Sequence, residues 1–209
     1  MTQHVLLALV VLLAAGGVAA QSGPDDYDAL LTRLRAGDTD VDYGAFRLAY
    51  TRTAAYAPYG VDDTNRHQRM AEAAGAGDFA TARELADTLL EENYTDIDAH
   101  VYAGYASQRL DDAARADFHA AVIRGLVGSI MASGSGDAPD SPYVVISVDE
   151  EYALMRVLGL QSQEQGLTRC AGGHQCDRVQ AVGRDGGEPR ALYFDVAIPM
   201  QHMADEMGQ

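Results

Sequence analysis

The sequence predicts an α+β fold: helical hairpins on the N-terminal side, then a small antiparallel β-sheet domain with two helices. Three observations predict it. Residues from Thr64 to about Met131 read as alanine-rich helix, and a pattern within them returns after thirty-four residues. The stretch "MASGSGDAPDSP" at 131–142 then breaks the helical text with turn-forming residues. Beyond it the apolar runs shorten, as strands require.

The elements follow in order. The first twenty residues, "MTQHVLLALVVLLAAGGVAA", are an apolar run ending in small residues, with Val18 and Ala20 before Gln21 in the pattern of a cleaved secretory signal. The apolar run from Val5 to Val18 is 14 residues long, short of the ~20 that cross a bilayer. An exported chain is expected, periplasmic or secreted. Ser22 and Pro24 open a first helix whose Tyr27, Leu30, Leu31 and Leu34 share one face, and Gly37 ends it. A second helix runs from about Asp42 to Thr53, and Pro58 and Gly60 then force a turn.

In the long helical stretch, "DFATA" at 78–82 returns as "DAARA" at 112–116. Ala86 matches Ala120, Leu89 matches Ile123, and Gly104 stands where a first helix needs a small residue. Thirty-four residues is the period of the tetratricopeptide repeat, two antiparallel helices that cross on small side chains. Tetratricopeptide-like hairpins are therefore expected. Past the linker, "YVVIS" reads as a strand, and Ser147 with Glu150 as a capping box that opens a helix to about Leu158. "GLTRC", "CDRVQAV" and "RALYFDV" read as three strands, and Pro199 opens a last short helix. The expected division is a signal at 1–20, a helical domain at 22–131, a linker at 132–141 and an α+β domain at 142–209.

Composition narrows the chemistry. The formal net charge is −16, from 31 acidic and 15 basic residues. Such a field repels phosphate backbones and anionic lipid, so no nucleic-acid partner is expected, and no membrane partner after signal cleavage. Every basic residue is arginine. Schiff-base catalysis, the phosphate-loop lysine and the Ser-x-x-Lys nucleophile all need the amine that lysine would bring. No Gly-x-Ser-x-Gly, His-Glu-x-x-His or Gly-x-Gly-x-x-Gly motif occurs, and no cofactor is expected.

The stretches "VDYGAFRLAYTRTAAYAPYG", "YVVISVDEEYALMRVLGL" and "RALYFDVAIPM" are distinctive together. They resemble a bacterial family known as domain of unknown function 4919. The resemblance covers roughly residues 25–205 and implies an exported protein with tetratricopeptide-like helices and a C-terminal sheet. It implies no activity. In similar sequences the turn at "GGHQCD" keeps a Gly-His and an Asp, so His174 and Asp177 fit the pattern while Cys170 and Cys176 look like a local addition.

The candidate residues form four groups. Cys170 and Cys176 hold five residues between them, too many for a redox Cys-x-x-Cys, and a zinc site wants four ligands where two thiols and His174 offer three. In an oxidising compartment they are expected to form a disulfide across one turn. His174 with Asp177 could act as base and orienter, and Glu150 with Glu151 as paired carboxylates, against the simpler readings of a polar turn and a charged helix start. His100 and His119 stand at similar height on an antiparallel hairpin, where a metal could bridge them, although histidines on a helix surface are commoner. The aromatic run Tyr43, Phe46, Tyr50, Tyr56 and Tyr59 offers either a binding surface or core. The expectation is a module that binds a protein or peptide. The alternative is a small hydrolase or metal-dependent enzyme at the His174/Asp177 or Glu150/Glu151 region. Inhibition of an exported toxin fits the size and acidity and has no motif of its own.

Overall fold

The structure is a computed structural model and describes residues 24–59 and 65–208. The expected signal at 1–20 lies outside the described residues. Helix α1 (Pro24–Arg35) lays Tyr27 and Leu34 against α2 (Tyr43–Tyr50). Their rings interlock: Tyr27 stacks on Phe46 at 4.9 Å between centroids and meets Tyr50 at 5.5 Å. Asp42 caps α2, its carboxylate accepting from the Ala45 amide at 2.9 Å.

Two helical hairpins follow, α3 (Arg66–Gly75) with α4 (Phe79–Glu92) and α5 (Ile97–Arg109) with α6 (Ala113–Met131). The thirty-four-residue repeat has a visible cause in the caps. Asp78 and Asp112 occupy the same place before α4 and α6, each accepting from the amide three residues on. Small residues set the crossings. A Cβ on Gly104 would stand 3.2 Å from that of His119, and one on Gly125 would enter the Tyr43 ring at 2.1 Å, so α5–α6 and α2–α6 pack at backbone distance.

The C-terminal part runs β1 (Tyr143–Val144), α7 (Val148–Val157), β2 (Leu160–Arg169), β3 (Gln175–Gly183), β4 (Arg190–Asp195) and α8 (Ala197–Met207). The sheet order is β1-β4-β3-β2. The sheet is mixed, where the sequence predicts a purely antiparallel one. The β2-β3-β4 meander is antiparallel, but β1 pairs parallel to β4. Helix α7 carries the chain back along the sheet, so β2 runs with β1, and two hairpin reversals leave β4 running the same way. Along β3, Val179 and Ala181 point to the helices with Leu192 and Phe194 of β4. A single hydrophobic cluster reaches from Tyr27 through the hairpins to Val196. The stretch at 132–142 is tied down, since Tyr193 N donates to Gly136 O at 2.8 Å and Ala171 N to Pro139 O at 2.9 Å.

Candidate functional site

The aromatic run divides at its last member. Tyr43, Phe46, Tyr50 and Tyr56 are buried, and only Tyr59 is exposed, at 47%. Four of the five rings therefore form core, because α2 turns its aromatic face inward between α1 and α6. Tyr56 and Pro58 fasten the turn that presents Tyr59. The Tyr56 hydroxyl donates to Ile146 O, and Val148 N donates to Pro58 O at 3.1 Å. Proline holds its backbone extended at small entropic cost.

Tyr59 stands at the rim of a cleft of about 460 Å³ between the hairpins and α7. Its walls carry His67, Asp96, Asp98, Asp149, Tyr152 and Arg156. Asp96 caps α5 through the Ala99 amide and meets His67 Nε2 at 2.7 Å. Arg156 donates to Asp98 across the floor, with Nε to Oδ1 at 3.1 Å. Burial raises the Asp98 carboxyl above its ordinary value, Arg156 pulling the other way. Burial also raises that of Asp149, with the charge of Asp96 second. The Asp96, Asp98 and Asp149 carboxyls thus stand together in the cleft, and a cationic group entering there offsets their mutual repulsion.

The paired glutamates part company. Glu150 accepts from Ile146 N at 2.9 Å and from both arms of Arg47, at 2.7 and 2.5 Å. Ser147 does cap α7, accepting from the Glu150 amide at 3.3 Å, but the Glu150 carboxylate binds Arg47 instead of completing the capping box. Glu151, one residue on, points to the sheet and is wholly buried, with Oε1 unpartnered. Gln165 Nε2 lies 3.4 Å from its other oxygen and donates to Asp177 at 2.5 Å, while the Tyr152 hydroxyl donates to Gln165 Oε1 at 2.6 Å. Burial, then the nearby Asp177 carboxylate, pushes the Glu151 carboxyl up to about 9. It is neutral at pH 7.

His174 and Asp177 are not partners. Neighbouring strand residues face opposite ways, so Asp177 turns to α7 while Cys176 turns to the outer face. There His174 Nδ1 meets Asp195 Oδ2 at 3.1 Å. Cys170 and Cys176 form the disulfide, closing the turn with Cα atoms 5.7 Å apart. His100 and His119 meet directly, Nδ1 to Nδ1 at 2.9 Å, in the contact between α5 and α6. Burial comes first in lowering both, to about 3 for His100 and about 4 for His119. They are neutral, one donating and one accepting, and that distance holds no bridging ion.

Sequence reasoning had no means to find Arg47–Glu150 or His174–Asp195, because each joins residues far apart in the chain. Asp149, Asp96 and Asp98 carried only the signal of helix caps and first turns. The model of a family described as Domain of unknown function (DUF4919) matches residues 17–204. No curated protein and no solved structure matches.

Proposed function

The chain belongs to the DUF4919 family, and from that premise we propose that it is an exported module that binds a protein or peptide. On this reading the hairpins are tetratricopeptide-like, and the cleft beside Tyr59 receives a partner segment carrying a basic side chain. One observation carries the proposal: the cleft joins an exposed tyrosine, on a turn tied down at Tyr56 and Pro58, to the carboxylates of Asp96, Asp98 and Asp149. Tyrosine offers large contact area at low entropic cost, and a basic side chain offsets the repulsion among the cleft's carboxylates.

An acid–base enzyme using Glu151 and Asp177 is the rival, favoured by a carboxyl held neutral beside a second carboxylate. Against it, Glu151 has no accessible surface on which a substrate could be protonated. Binding is the better reading. Affinity capture from exported fractions tests it, with the wild-type chain and Asp149→Asn as baits. The partner should bind the variant roughly fivefold more weakly, about 1 kcal/mol for one partly screened charge. Equal recovery on both baits would remove the acidic cleft from the account.

A further inference from the structure

We propose that opening the Cys170–Cys176 disulfide turns the end of the β2–β3 hairpin into a zinc site, with Cys170, Cys176, His174 and Asp195 as ligands. The two thiols and His174 fall one ligand short of a structural zinc site. The fold supplies the fourth. In the β3–β4 register Cys176 lies directly across from Asp195, so one strand end delivers a sulfur and its neighbour a carboxylate on the same face. Ligand atoms of His174, Cys176 and Asp195 already lie within 4.8 Å of one another. Cys170 is bonded to Cys176 and is released beside it when the bond opens.

Two details suit a cation at this place. His174 Nδ1 is buried and makes no hydrogen bond, although Asp195 Oδ2 stands 3.1 Å away. That nitrogen has a lone pair or a proton to place and no well-aligned partner. Asp195 is already oriented: its other oxygen, Oδ1, accepts from the Ala197 amide at 3.0 Å, the kind of support that a ligating carboxylate needs. Bonds of ~2.0–2.3 Å in a tetrahedron place ligand atoms roughly 3.3–3.8 Å apart, so the His174–Asp195 pair at 3.1 Å is already near that spacing and the Cys176 sulfur has at most about 1 Å to close. A two-sulfur, one-nitrogen, one-oxygen set suits zinc over harder cations.

The step balances. A dithiol reductant gives two electrons and two protons to the disulfide and becomes a disulfide itself, leaving two cysteine thiols. Zinc then displaces both thiol protons, while His174 lends the Nδ1 lone pair and Asp195 its charge. In the oxidised hairpin the sulfurs are bonded to each other and offer no thiolate, so clasp and metal site are alternative states of one turn.

Cobalt(II) is the probe, because thiolate ligation gives it charge-transfer absorption. The full-length chain is titrated with its disulfide intact, and again after reduction with a phosphine and desalting under argon. The reduced protein should take up a single equivalent with thiolate-to-cobalt bands and strong tetrahedral visible bands, which zinc then bleaches; the oxidised protein should show neither. His174→Ala, at a half-exposed turn, and Asp195→Asn should each weaken cobalt binding about tenfold or more. A reduced wild-type chain without these bands overturns the proposal. So does a His174→Ala chain that binds as tightly as wild type, for the two thiols alone would then account for the signal.

Discussion

Glu151 holds a wholly buried carboxyl with one oxygen unpartnered. Its folded-state carboxyl titrates at about 9 against an ordinary 4.5, so the folded chain keeps a proton that the unfolded chain loses. The contribution of this group is therefore fullest below about pH 4.5 and is lost as pH rises toward 9, by on the order of 1.4 kcal/mol per pH unit. Glu151→Gln mimics the neutral acid and should stabilise the chain by up to ~4 kcal/mol at pH 7.5, with the gain fading to nothing near pH 4.5. Urea midpoints for both chains at three pH values check this, and a gap that does not change with pH would mean the carboxyl is ionised in the fold. The sequence could suggest Glu151 as a candidate but not why it matters. A Glu-Glu pair at a helix start reads as dipole complementarity, and only the tilt of α7 on the sheet decides which glutamate is solvated, paired or left neutral.

Elements were far more legible. Asp and Ser at the caps, glycines past the ends and the thirty-four-residue echo are local signals, and most helices fall near where these put them, but β2 starts at Leu160, six residues before the strand read in "GLTRC", and β1 keeps two residues of "YVVIS". Sheet direction was not legible, because β1 is two residues long and its partner β4 comes forty-six residues later. What joins α2 to α7 was equally hidden. Arg47 and Glu150 are 4% and 3% exposed and form a two-armed ion pair, and Arg47 also reaches Val144 O at 2.9 Å. Truncating one member strands the other charge in the core. Glu150→Ala should cost ~3–5 kcal/mol, while replacing Arg47 and Glu150 together with methionine should cost clearly less. Thermal denaturation of the single and double variants tests the coupling, and single losses that simply add would show that the two side chains act independently.

At the scale of the whole molecule, the chain combines a charge of −16 with a main core that reaches from the first helix to the sheet and an acidic cleft rimmed by Tyr59. Export is part of the proposed role, and the mass of protein recovered from the exporting cell should lack residues 1–20; retention of that segment in a membrane pellet would contradict it. The aromatic run shows why function was less legible than fold. Composition cannot tell core from surface, and four of its rings went inward while a proline turn held the fifth outward. The binding account therefore rests on Tyr59. Its substitution Tyr59→Ala, measured for partner affinity and for melting temperature on the same preparation, is the most direct test. The account predicts affinity weaker by ~1–3 kcal/mol with the melting temperature moved by no more than about 2 °C, as for an exposed side chain. A variant that melts early yet binds normally in the cold would contradict it.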